Sequence, residues 1–174
     1  MASCNLTQNI MLDCRDSAGG VKEVYFIEFD NVTDVTEASG MVTAITVAST
    51  KQFRRYQVPK ETSFWTQTLN SSVQNGTIFY QQELTIVANK MQANTRNELQ
   101  LLAMNRLLAI VKDMNDKYHL LGWGNALDAT AGEDGSGTAT GDRNGYSRTF
   151  TAMERFMAPE VQSGIISGLL SPAA

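Results

Sequence analysis

The chain has 174 residues, 43% of them hydrophobic and only 18% charged, with a formal net charge of -4 and a pI near 5.0. This length fits one domain, and such a domain buries about 70% of the surface its unfolded chain exposes, so the composition is globular and not disordered. The acidic balance argues against a dedicated nucleic-acid binder, which needs a basic stripe to displace phosphate counterions; Arg54-Arg55 is the only basic doublet.

The first 20 residues end in "SAGG" and read as an arm. "MASCNLTQNIML" has no basic n-region and no long apolar run, and no segment approaches a membrane span, which leads to the expectation of assembly in a cytoplasm. Cys4 and Cys14 are then expected as thiols, with their pairing left open, and four Asn-x-Ser/Thr matches as chance products of composition. Two cysteines and His119 are too few for a structural zinc site.

Residues 22–29, "KEVYFIEF", are aromatic and β-branched and predict a strand closed by "DNVTD". Residues 41–49 and 51–59 predict two more, joined as a hairpin, with Pro59 as the stop. Residues 61–69 predict a fourth strand, and "NSSVQNG" a turn. The longest alternating run is "TIFYQQELTIVA" (77–88), a strand with one wetter face that carries Gln81, Glu83 and Thr85. A strand of this length is expected to overhang its domain.

The period then changes. Residues 94–108 predict one amphipathic helix on the sheet, with Thr95 and Glu98 as a capping box. Residues 107–113 and 118–123 predict a hairpin turning at Asn115-Asp116, and 145–154 a closing strand. Residues 158–174 read as a tail with a short helical turn. The sum is a mainly-β fold of about seven to eight strands, a sandwich or barrel with one α-helix packed on it, spanning residues 21–157 between the arm and the tail.

Between the hairpin and the closing strand lies "DATAGEDGSGTATGDR" (128–143), predicted as a long connector. A phosphate loop would need a Lys after its second glycine, but Asp142 follows Gly141. Gly135, Gly137 and Gly141 miss dinucleotide spacing by one residue. Glu133, Asp134, Asp142 and Asn144 offer oxygens for calcium, but Tyr146 and Ser147 break the EF-hand pattern. No Gly-x-Ser-x-Gly elbow accompanies His119, so no catalytic residue, metal or cofactor is predicted. Trp65 and Trp123 could form a sugar-stacking platform, which leaves a monomeric carbohydrate-binding module as an alternative; a glycosidase-like carboxylate pair does not stand out.

The order of a long strand "YQQELTIVA", a helix "NTRNELQLLA", a hairpin "AIVKDMNDKYHLLGW", a Gly-rich segment and "GDRNGYSRTFTAMERFMAPEV" resembles the major tail-tube proteins of long-tailed bacteriophages, whose fold the type VI secretion tube shares. The resemblance covers roughly residues 21–161 and rests on layout, not on invariant residues. It implies a structural virion protein that forms six-membered rings stacked into a tube, with four strands per subunit in an inner barrel and the helix outside. It implies tape-measure, terminator and baseplate proteins as partners, and DNA passing through an acidic lumen without sequence-specific binding. Gln81, Glu83 and Thr85 are then expected to face the lumen, and Gly132, Glu133, Asp134, Gly135, Ser136 and Gly137 to contact a neighbouring subunit. A terminator or baseplate hub ring is the related alternative.

Overall fold

The computed structural model describes residues 6, 8–12 and 14–170. Among them the chain forms eleven strands in two sheets, with two α-helices, so the protein is mainly β with a helix on the sheets. The larger sheet has the order β2 (Val32–Ala38), β3 (Met41–Val47), β11 (Glu160–Val161), β8 (Tyr118–Leu121), β7 (Leu107–Asp113), β1 (Val21–Glu28), β4 (Arg54–Gln57). The smaller has the order β5 (Phe64–Ser72), β6 (Thr77–Asn89), β10 (Gly145–Glu154), β9 (Asp128–Gly135). Every pairing is antiparallel except that of β11 with β3.

The central strands β1 and β7 explain why their sequences are apolar runs without alternation: both of their faces are buried. Val24 and Phe26 face one core with Leu84, Phe150, Leu99 and Leu102, which joins the two sheets and α1 (Ala93–Met104). Tyr25 and Ile27 face a second core with Val42, Phe53, Ile110 and Leu169, closed by α2 (Ser163–Leu169). The larger sheet is thus the middle layer.

Four expectations are corrected. Residues 41–49 and 51–59 do not form a hairpin: β3 pairs with β2 and β11, while β4 pairs with β1 at the far edge. The chain crosses the sheet between them, with Thr50 at φ 73° and Phe53 buried, its N–H donating to the Leu169 carbonyl at 2.9 Å. "DNVTD" does not close a strand but opens β2 after a short 3-10 turn. The helix begins at Ala93 with Gln92 as N-cap, and Thr95 makes no cap; Glu98 instead accepts the Tyr56 hydroxyl at 2.6 Å. It stops at Met104, where the Asn105 side-chain amide donates to the Leu101 carbonyl at 2.8 Å, because Leu107 and Leu108 belong to β7. Of the residues expected as a tail, 160–169 belong to the body, since β11 fills the gap between β3 and β8, and α2 buries Ile166 and Leu169, while 171–174 lie outside the described residues. The 107–121 hairpin has its expected turn: Asp113 accepts the N–H groups of Asn115 and Lys117, each at 2.8 Å, and Asp116 takes φ 60°. Cys4 lies outside the described residues.

Phe53 links the crossing to α2 with a fully buried ring. Phe53→Ala is expected to cost about 3–5 kcal/mol, read as a lower urea midpoint with an unchanged slope. A loss below about 1 kcal/mol would mean that the second core closes without it.

Candidate functional site

The site is built on the smaller sheet, and it begins at a turn. Gly122 has φ 74°, and a Cβ there would lie 2.9 Å from the Leu127 backbone nitrogen, so only glycine fits. Two buried side chains from the smaller sheet grip this turn. Gln82 of β6 accepts the Gly122 N–H at 3.0 Å and donates to Gln67 of β5 at 3.3 Å. Glu154 of β10 accepts the N–H groups of Gly124, at 3.0 Å, and Asn125, at 2.9 Å. Burial pushes the Glu154 carboxyl above its ordinary range, although the two backbone donors work the other way. The sequence reading left Gln82 out; a polar residue at the parity of Leu84 and Ile86 was the available signal.

Directly after the turn, residues 128–135 form β9. The first half of the segment read as a connector is therefore an edge strand, paired with β10 across one bulge. Glycine content hid it, because Gly132 and Gly135 have weak strand propensity. They have a reason here: a Cβ on Gly132 would meet the Arg148 guanidinium at 2.8 Å. Arg148 makes a paired contact with Asp134, one arm at 3.0 Å and the other shorter, which holds the Asp134 carboxyl below the ordinary aspartate range. Gly132, Glu133, Asp134 and Gly135 thus lie in β9, with Ser136 and Gly137 just beyond it. Asp142 accepts the N–H groups of Thr138, at 2.9 Å, and Ala139, at 2.7 Å, and these bonds, with Ala139 first, lower its pKa.

The face of the smaller sheet turned away from the core follows from register. Gln81, Glu83 and Thr85 of β6 share it, opposite Leu84 and Ile86, which are buried. Across the sheet Thr85 aligns with Phe64 and Thr149, Glu83 with Thr66 and Thr151, and Gln81 with Thr68 and Met153. Ser147, Ala131 and Glu133 continue it. Thr85 and Thr149 hydroxyls meet at 2.9 Å, and so do Thr130 and Thr151 at a bulge in β9. The register places three carboxylates on this face, Glu83, Asp128 and Glu133, and no lysine or arginine.

The edges matter as much as the face. β5 pairs only with β6, and β9 only with β10, so both outer strands present unpaired backbone. Directions alternate across the four strands. The β9 edge of one copy can therefore meet the β5 edge of another in antiparallel sense, without interrupting the alternation.

The other sequence candidates do not converge. Trp65 packs on the core between the sheets, its ring 5.0 Å from that of His119, while Trp123 packs on the second core; the two indoles form no platform. Burial lowers the His119 pKa and keeps the imidazole neutral at pH 7. Among the described residues, no group of three or more His, Cys, Asp and Glu gathers as a metal set, and no helix is long and apolar enough to cross a membrane.

Because its folded pKa is depressed, Asp134 contributes stability that is present above the unfolded aspartate pKa, about 4, and lost as pH falls through the lower folded value. Hydrogen-exchange protection of the β9 amides should drop below about pH 4, and Arg148→Gln should remove that pH dependence. Equal pH profiles in both proteins would mean that the pair does not hold the edge. No protein-family model, no curated protein and no solved structure matches this chain.

Proposed function

We propose that the chain is a structural tube subunit of a phage tail. Copies join head to tail through the β9 and β5 edges into rings, and the rings stack into a conduit for DNA. The single observation that carries this reading is the smaller sheet itself: four alternating strands, two open edges, and an outward face of threonine, glutamine and carboxylate, with Phe64, Phe79 and Met153 among them and no lysine or arginine. Closing such sheets into a barrel satisfies the open backbone groups and gathers the acidic faces inward. Six copies per ring is the number that the sequence resemblance supplies. Glu83, Asp128 and Glu133, repeated around the bore, would repel DNA phosphates and let the polymer slide. Gln81 and Thr85 offer a wet, uncharged lining beside them. The middle layer and α1 then lie outside the barrel. Tape-measure, terminator and baseplate proteins are the partners that a tube in a virion tail requires.

Two measurements test this. Negative-stain microscopy of the purified chain should show rings or tubes; a strict monomer at high concentration would sink the proposal. Glu83→Lys should leave assembly intact, because the residue faces the bore and not a joint, yet lower DNA delivery by about tenfold or more in a complementation assay. Unchanged infectivity would separate the assembly from the bore chemistry and overturn the lumen assignment.

A further inference from the structure

The hairpin of β5 and β6 runs past the body of the protein. On its core-facing side, Trp65 and Gln67 are covered by the larger sheet and its turn, and so are Gln82 and Leu84. Two positions further along the same side, Leu69 aligns with Tyr80 and Ser71 with Ile78, and the cover is gone. Leu69 is 55% exposed, Ile78 56%, and Val73 at the tip 96%. Solvated strands place polar residues on the open side, yet here the apolar side continues without its cover.

The complementary surface lies at the opposite edge of the same sheet. Between α1 and β9 runs a shallow groove lined by Ala103, Ala129 and Gly132, by Thr130 and Ala131 at the bulge, and by the Asp134–Arg148 ion pair, with Met104 of α1 74% exposed nearby. Small side chains leave room for branched ones. Ala129 and Gly132 align with Phe150 and Arg148, so they occupy the core-facing side of β9. If β5 of a second copy lies against the β9 edge, its core-facing residues fall on the same side as α1. We propose that Leu69 of one copy seats in the α1–β9 groove of the next, against Ala103 and Met104, with Ile78 one strand behind it on β6. The occupant is thus a second copy of this chain, and the contact rests on the edge-to-edge ring reading.

The test uses the full chain with Cys4→Ser and Cys14→Ser, carrying Leu69→Cys and Ala103→Cys together or singly, treated with a short bis-maleimide. The expected result is a ladder beyond dimer with the pair and no product with either single variant. Rings or tubes seen by microscopy but not cross-linked by the pair would overturn the docking and leave the ring reading standing. Cross-linked dimers without rings would support the docking and overturn the ring. Dimers from Leu69→Cys alone would mean that two hairpins face each other, which overturns the docking. A chain that remains monomeric and uncross-linked overturns both. Independently, Leu69→Asp with Ile78→Asp should raise the concentration needed for assembly by about tenfold or more while leaving the unfolding midpoint of the monomer unchanged; unaltered assembly would count against the contact.

Discussion

The turn at residues 122–127 is the constraint on which the two sheets depend. It leaves β8 in the larger sheet and delivers the chain to β9 in the smaller one. Gln82 and Glu154, from neighbouring strands of the smaller sheet, both spend their polar atoms on its backbone N–H groups. Buried polar groups are costly unless satisfied, so these bonds fix one arrangement and penalise others. Gln67 extends the network by accepting the Ala158 N–H at 2.8 Å, which ties in the chain on its way to β11 and α2. The candidate face is therefore not an appendage. Its edge strand β9 starts one residue beyond a turn that two buried side chains hold in place.

The same network explains the division of labour between the two sides of the smaller sheet. The core-facing side carries Leu84, Ile86, Tyr146 and Phe150, with Gln82 and Glu154 as buried polar residues and Arg148 paired with Asp134 toward the β9 edge. The outward side carries hydroxyls that meet one another across strands, at Thr85–Thr149 and Thr130–Thr151. β-branched threonine suits a strand while keeping its surface wet. Without a lysine or arginine this face offers a polyanion no partner, and Phe64 and Met153 stand partly exposed among its hydroxyls.

Much of this was legible in the sequence. Period-2 alternation located β6, and it sorted Gln81, Glu83 and Thr85 from Leu84 and Ile86, because one face of that strand is wetter than the other. The helix was visible through Leu99 and Leu102, though its start was misplaced: Glu98 bonds to Tyr56, a tertiary partner that no local capping rule can foresee. β9 was missed because Gly132 and Gly135 are poor strand formers, and its pairing comes from β10 and from the space that Arg148 requires. β11 has two residues, and its place between β3 and β8 is set by long-range packing alone. The false hairpin between residues 41–49 and 51–59 shows the limit of proximity. A short connection suggests pairing, but Phe53 is worth more beneath α2 than in a turn.

The strand edges complete the physical case. The larger sheet guards its edges. β2 has two register shifts and carries Asp34 and Glu37, while β4 is four residues long, bears Arg54 and Arg55 and is followed by Pro59. β5 has none of these protections: nine residues, no charge, no proline and an unbroken register with β6. In a monomer, such an edge invites indiscriminate pairing. The chain thus blunts the edges of one sheet and leaves β5 open in the other. Its counterpart β9 has the opposite strand direction needed to receive it, and its bulge at Thr130 is of a kind common at barrel rims. The open edge and the cation-free face belong to the same sheet, so closing the first would at once enclose the second.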